Sequence, residues 1–345
     1  MRFDGSKIIF ENCDNAFIKK FGLIECGEMV QNFRSVNNIP FIYDTDQLVS
    51  FLSIRKSSFF KMFKEECSNN YVKKVIKKRS GEDRILHAPD ALLKQLQSRI
   101  LRQILSKLPV SKYATAYKCG IKLSDNAKPH VGKRYILKMD ITDFFGSIRF
   151  EQVYSAAFNT KYFPKQIGVM LTTLCCYNGV LPQGAPTSPA LSNLVLKNFD
   201  NNIGTWCKKR GIAYTRYCDD LTFSSDKPLY NVYEKVNVML EDSGFTVNEK
   251  KTVFSTNASR LSVTGLTVNK KVSVSRQYKR NLRQEVYYAL KFGLAKALNH
   301  AVNSDIASTE TYKNHLVGCI NYVLQIEPEN KWFKEILHKV NSLPC

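Results

Sequence analysis

Hydrophobic positions along the chain follow two periods. Helical spacing is the more extensive. Between residues 91 and 108, Leu92, Leu96, Ile100 and Ile104 fall in line. Asp90 can cap that helix, and Pro109 stops it. Ser188 and Pro189 open a second helix, with Leu191, Leu194, Val195 and Phe199 on one face. Residues 232–240 read as a third, closed by Gly244. After Lys270 the pattern is helical throughout: 275–292, ended by Gly293, then 312–324 and 331–340, parted by Pro328. Tyr278, Leu282, Val286 and Ala289 share one face of the first of these. Strand patterns lie between the helices. Residues 134–141 form a mostly apolar strand, and 245–247 are a further candidate. Residues 214–217 and 221–224 flank Cys218, Asp219 and Asp220 as a hairpin. The mixture predicts an α+β fold with a helical carboxyl-terminal lobe. No internal repeat or low-complexity linker interrupts it.

Charge changes this picture more than composition does. The 345 residues carry 51 Lys plus Arg against 30 Asp plus Glu, a formal net charge of +21. The length suits about two domains, or one enzyme core with lobes. Apolar residues at 44% exclude wholesale disorder and supply a core that needs no disulfides. The ten cysteines contain no CxxC pair, which argues against structural zinc and for a reduced intracellular setting. The first residues include early acids and no apolar run of a secretory leader. The most apolar region, 168–181, is shorter than the roughly 20 residues of a bilayer span. A soluble, cytoplasmic protein is expected. The cationic surplus suits a polyanion, with nucleic acid ahead of an anionic membrane. It is concentrated in two stretches. Ten cations face three acids between 71 and 108, and eight face Glu285 alone between 270 and 296.

The candidate chemistry is acidic. Asp219 and Asp220 adjoin at a tight turn in TRYCDDLTFS. Two carboxylates forced together repel, so a nearby cation stabilises both. Asp140 stands near the end of another apolar strand, in ILKMDITDFF. If the strands are neighbours in one sheet, the three carboxylates converge. Oxygen ligands of this kind suit Mg²⁺, which also takes ligands from substrate phosphates. Two such ions about 4 Å apart activate an attacking hydroxyl and steady a leaving pyrophosphate. Alone, an Asp-Asp pair reads more readily as a solvated turn than as a metal site. Its neighbours in the sequence favour the metal.

Those neighbours resemble the reverse transcriptases, and within them the bacterial retron type. YCDD at 217–220 resembles the family's YxDD box, and Asp140 in DITDFF its first aspartate. LPQGAPTSPALSN at 181–193 resembles the LPQG-to-SP block. GFTVNEKKT at 244–252 resembles the block that follows. YVKKVIKKRSGEDRILHAP at 71–89 is similar to the basic fingers block. NAKPH at 126–130 and VTGLTVN at 263–269 resemble the retron NAxxH and VTG elements. The resemblance runs from about Tyr71 to Pro328 with the blocks in order. Cys218 departs from it slightly, standing where retron enzymes often have alanine.

The resemblance implies a right-hand polymerase fold: an amino-terminal helical region at 1–70, fingers at 71–134, a palm at 135–270 and a helical thumb at 271–345. Part of the fingers would be inserted in the palm at about 150–190. It implies a metal centre of Asp140, Asp219 and Asp220 holding two Mg²⁺ ions, with a backbone carbonyl from Ile141. Arg84, with Lys77 or Lys78, would hold a deoxynucleoside triphosphate. Gln183 would lie beside it, with Gly184 permitting close backbone approach. Phe145 would sit under the sugar and exclude a ribose 2′-hydroxyl. Phe144 and Phe145 should divide, one packing inward and one facing the site. Lys251 matches the position proposed to protonate pyrophosphate; a surface lysine is the plainer alternative. Asn126 and His130 would contact RNA or support the fold around it, and Lys279, Arg280 and Arg283 would meet phosphates of an A-form duplex.

The implied partners are a structured non-coding RNA, its DNA copy and deoxynucleotides. Copying would start from the 2′-hydroxyl of a guanosine and yield a branched RNA–DNA hybrid. The setting would be phage defence with a separate effector protein, and no membrane. Two alternatives stay open: an intron-type or diversity-generating reverse transcriptase, and a catalytically silent RNA-binding protein on the same fold.

Overall fold

The computed structural model describes residues 38–77, 81, 83–299 and 308–344. Two helices lead in, α1 (Thr45–Leu52), capped by Asp44, and α2 (Lys56–Lys64). An antiparallel ribbon follows, β1 (Tyr71–Lys77) with β2 (Asp83–Pro89). Val72, Val75, Ile76 and Ile85 are about half exposed on it. A lone two-stranded ribbon is marginal in water. Its base is tied down: the His87 N–H donates to the Gln183 carbonyl (2.8 Å), and the His87 ring stacks on Tyr177.

Helix α3 (Ala91–Gln103) starts at Asp90, whose Oδ1 accepts from the Leu93 N–H at 2.8 Å. Its buried face is Leu93, Leu96, Gln97 and Ile100, while Leu92 is 40% exposed. The expected row at every fourth residue drifts about 40° per step around a 3.6-residue helix, and its first member, Leu92, falls off the buried face while Leu96, Ile100 and Ile104 are buried. The helix gives way to a 3₁₀ turn at Leu105–Lys107, before Pro109.

The remaining elements of the larger lobe are α4 (Leu123–Ala127), β3 (Tyr135–Asp140), α5 (Phe150–Val153), α6 (Lys165–Cys175), α7 (Ser188–Val195), α8 (Lys197–Lys208), β4 (Ala213–Tyr217), β5 (Asp220–Ser225), α9 (Tyr230–Asp242) and β6 (Val253–Thr256). The strands form one antiparallel sheet in the order β4–β5–β3–β6. Two expectations need correction. The helix opened by Ser188 breaks at Leu196, whose ψ of 3° lets both Leu196 and Phe199 reach the core. Residues 245–247 make no strand, only one bridge from Val247 to Ile141.

A short hairpin, β7 (Ser262–Val263) with β8 (Leu266–Thr267), precedes the helical lobe of α10 (Arg276–Phe292), α11 (Leu294–Leu298), α12 (Thr309–Ile326) and α13 (Lys331–Asn341). The buried side chains divide into two clusters. Leu261, Val263, Leu266 and Val268 belong to the helical one, so packing joins residues before 271 to that lobe. No helix among the described residues is long and apolar enough to cross a membrane.

Candidate active site

The sheet brings the three carboxylates together. β3 and β5 run antiparallel with Asp140 opposite Asp220. β4 and β5 close on Tyr217 opposite Asp220, leaving Cys218 and Asp219 as a two-residue loop. The Ile141 N–H donates to the Asp219 carbonyl at 3.2 Å, lashing the loop to the end of β3. One ligand oxygen from each of Asp140, Asp219 and Asp220 then lies within 4.8 Å of the others. Hard oxygen donors this close could hold a divalent cation. Asp140 is buried, Asp219 half-buried and Asp220 exposed, so the cluster opens on one side.

The underside of the loop is held by groups that sequence patterns did not single out. Cys218 adopts φ 61°, a left-handed conformation that costs a non-glycine residue about 1–2 kcal/mol. Arg216 Nη1 donates to the Cys218 carbonyl at 2.9 Å. The same guanidinium grips Asp200 through Nε (2.9 Å) and Nη2 (2.6 Å), and Tyr214 Oη donates to that carboxylate at 2.8 Å. Arg216 and Asp200 are both fully buried. Above the loop, Tyr117 Oη donates to Cys218 Sγ at 3.1 Å. One signal was available: Asp200 lies on the apolar face of α8, with Ile203, Gly204 and Cys207.

On the open side, Lys251 Nζ bonds both oxygens of Asp140, at 3.0 and 3.1 Å. That bond is the main reason its ammonium is held above the usual lysine range. Burial, then the charges of Asp219 and Asp140, pushes the Asp220 carboxyl up to about 6. Lys138, two residues before Asp140, donates to Ser262 Oγ at 3.1 Å; burial lowers its pKa, and Asp220 opposes that. A crowded acidic cluster with only partial lysine neutralisation favours an added cation.

Some of the residues expected at the nucleotide meet at the ribbon. Arg84 Nε donates to Gln183 Oε1 at 2.8 Å. Gly184, at φ 117°, approaches the ribbon itself: a Cβ there would lie 3.3 Å from the His87 carbonyl oxygen. The close approach it permits is therefore to the ribbon's own backbone. Phe144 is buried against Phe245 and Phe145 is half-buried beside it, the division the sequence suggested. Lys77 is exposed at the end of β1, and Lys78 lies outside the described residues.

Residues 76–268 match the family Reverse transcriptase (RNA-dependent DNA polymerase). Retron Ec86 reverse transcriptase of Escherichia coli is 32% identical over 275 residues, covering 78% of this chain and 84% of that protein. The chain belongs to the retron reverse transcriptases. Retron Mx65 reverse transcriptase of Myxococcus xanthus is 34% identical over 75% of this chain and 62% of its own length, and retron Ec83 reverse transcriptase of Escherichia coli is 32% identical over 77% and 86%. The chain thus spans less than two thirds of the Myxococcus protein.

In this reverse transcriptase the two retron elements meet each other. Asn126 Nδ2 donates to Thr264 Oγ1 at 3.4 Å, joining NAKPH to VTG, and its Oδ1 accepts from Thr115 Oγ1 at 2.7 Å. His130 is enclosed, with Nδ1 2.7 Å from Ser224 Oγ and Nε2 2.8 Å from Thr215 Oγ1. Its imidazole is driven down to about 3 by burial. Both side chains are buried, which suits the second of their two expected roles, support of the fold around the Asp219–Asp220 hairpin. The Lys279 Nζ pairs with Glu327 at 2.7 Å and is mostly enclosed. Arg280 and Arg283 are exposed, with Arg283 over the Trp332 and Phe333 rings.

Proposed function

We propose that this reverse transcriptase copies part of a structured non-coding RNA into DNA, starting from the 2′-hydroxyl of a guanosine in that RNA. The observation that carries the reading is the convergence of Asp140, Asp219 and Asp220 within 4.8 Å, in a chain 32% identical to a retron enzyme. The hydroxyl attacks the α-phosphate of a deoxynucleoside triphosphate, and pyrophosphate leaves. Asp140 and Asp219 are the firmest ligands for two Mg²⁺ ions, with Asp220 and the Ile141 carbonyl completing the set. Bound Mg²⁺ supplies acidification of the hydroxyl and charge neutralisation of the leaving group.

The chain's own residues do the rest. Arg84, with Lys77 or Lys78, turns from Gln183 to the triphosphate. Gln183 and Gly184 flank the nucleotide, and Phe145 excludes the ribose 2′-hydroxyl. Lys251, whose side chain is 62% exposed, swings from Asp140 to give its proton to pyrophosphate. The biological reading is phage defence with a separate effector protein.

The test uses purified protein with its copurifying RNA, deoxynucleotides and Mg²⁺. The expected DNA stays covalently joined to RNA, and after RNase a debranching enzyme releases it. A product joined through a 3′-hydroxyl overturns the priming reading. No product at all overturns the polymerase reading.

A further inference from the structure

The turn that carries Asp219 contains a residue of unusual choice. Cys218 and Asp219 are the two loop residues between β4 and β5, and of the two only Cys218 has a positive φ, at 61°. That pattern favours glycine at the first position. Glycine would remove the steric penalty of the left-handed conformation, but it has no side chain to be held. Cysteine offers its sulfur, and Tyr117 Oη donates to it at 3.1 Å. Burial keeps this phenol above its usual pKa range, so it remains a donor at any working pH.

Tyr117 is itself held in a strained conformation. Its φ is 58°, uncommon for a bulky residue, and it is 52% exposed, so apolar burial does not account for it. The chain leading to it is anchored. The Arg216 N–H donates to the Tyr113 carbonyl at 2.8 Å, and the Thr115 N–H to the Arg216 carbonyl at 2.9 Å, so residues 113–115 run parallel beside β4. Asn193 Nδ2, from the LPQG-to-SP block, donates to the Ala116 carbonyl at 2.8 Å. This path delivers one hydroxyl to the turn. Strain at a residue fixed so firmly points to a role for its side chain. Arg216 links the two holds, because it also bonds the Cys218 carbonyl through Nη1. The turn is gripped at a carbonyl on one side and at a sulfur on the other, one residue before Asp219.

We infer that Tyr117 is a positioning residue for the metal centre: its hydroxyl, acting through Cys218 Sγ, holds the turn in the conformation that presents the Asp219 carboxylate to a bound cation. The inference rests on reading Asp140, Asp219 and Asp220 as that centre. Tyr117 touches neither the ion nor the reacting atoms, and it acts only through its neighbour.

The test is a double-mutant cycle of Tyr117→Phe and Cys218→Ala. Extension of a DNA primer annealed to an RNA template is titrated with Mg²⁺ at saturating deoxynucleotides. Mn²⁺ binding to the protein alone is read from the paramagnetic resonance of the free ion, counting the part that Asp219→Ala loses. Each single variant should need about 2- to 10-fold more of either ion for half-saturation, the range set by one neutral hydrogen bond. Turnover at saturating Mg²⁺ and the urea midpoint should stay near wild type. The double variant should be no worse than either single, since both substitutions remove the same bond. Wild-type metal dependence in Tyr117→Phe overturns the proposal. Additive losses also overturn it, because the two side chains would then act independently. Absence of primer extension by wild type strikes at the polymerase reading alone, because the Mn²⁺ titration still reads the turn.

Discussion

Two aspartate–cation pairs stand on opposite sides of one hairpin. Beneath it, Asp200 and Arg216 are fully buried and joined by two charge-assisted hydrogen bonds. Above it, Asp140 and Lys251 meet at 3.0 Å with the lysine side chain 62% exposed. The buried pair cannot exchange partners without stranding a charge in the core. The open pair can, because water stabilises each ion when they part. The first is therefore scaffold: it presents the Cys218 carbonyl, and hence the loop, in one position. The second is free to part, so in the proposed reaction a cation or a leaving group can displace the lysine.

That contrast can be broken in stages. The largest effect is expected on the open side. Asp219→Ala should reduce primer extension to background while leaving the urea midpoint unchanged or raised, since it relieves repulsion on Asp220. Full activity in that variant would remove Asp219 from the metal centre.

Beneath the hairpin the order reverses. Arg216→Met should cost about 3–5 kcal/mol in urea denaturation, because Asp200 is left buried and unpaired. The double variant Arg216→Met with Asp200→Leu should regain most of that stability. It should still need more Mg²⁺ for half-maximal extension, because the Cys218 carbonyl has lost its donor. A double variant with wild-type Mg²⁺ dependence would make the pair merely structural.

Lys251→Ala comes next. Turnover should fall by about 10²-fold, in the range of lost general acid catalysis. Stability should change by less than about 1 kcal/mol, as for an exposed pair. Equal losses in both would blur the distinction between the two sides.

The smallest effect belongs to His130. Its imidazole titrates at about 3 in the fold against 6.5 ordinarily, because burial penalises the charged ring. The unfolded chain therefore takes up the proton first as pH falls. The stability it contributes is complete above pH 6.5 and declines below it, by at most about 1.4 kcal/mol per pH unit, until the folded ring protonates near 3. Urea melts from pH 7.5 to 5.5 should show a shallower decline in His130→Asn than in wild type.

Much of the site was legible before any fold. YCDD and DITDFF mark the three carboxylates because hairpin and strand patterns surround them, and strand alternation made their convergence a natural expectation. Helical periodicity marked the carboxyl-terminal lobe, and α10, α12 and α13 lie within a few residues of the expected spans. Errors fell where a local pattern depends on what packs against it. Leu92 and Leu93 are equally apolar, and only the neighbours of α3 decide which turns inward. Asn126, His130 and Lys279 carry polar groups that suit either RNA or a buried network. Ser224, Thr215, Thr264 and Glu327, all distant in sequence, decide for the network.

The sequence by itself determined the polymerase family, the acidic residues and the excess of positive charge, because these are properties of residue type and order. Only the tertiary structure decided which charges are free to act. Asp200 and Arg216 satisfy each other in the core, and Lys279 is spent on Glu327. Arg260, Lys270, Lys271 and Arg276 are exposed, with no carboxylate paired to them among the described residues. The physical reason is that a charge's role depends on its partner and its exposure to water, and both are set by residues far away in the chain.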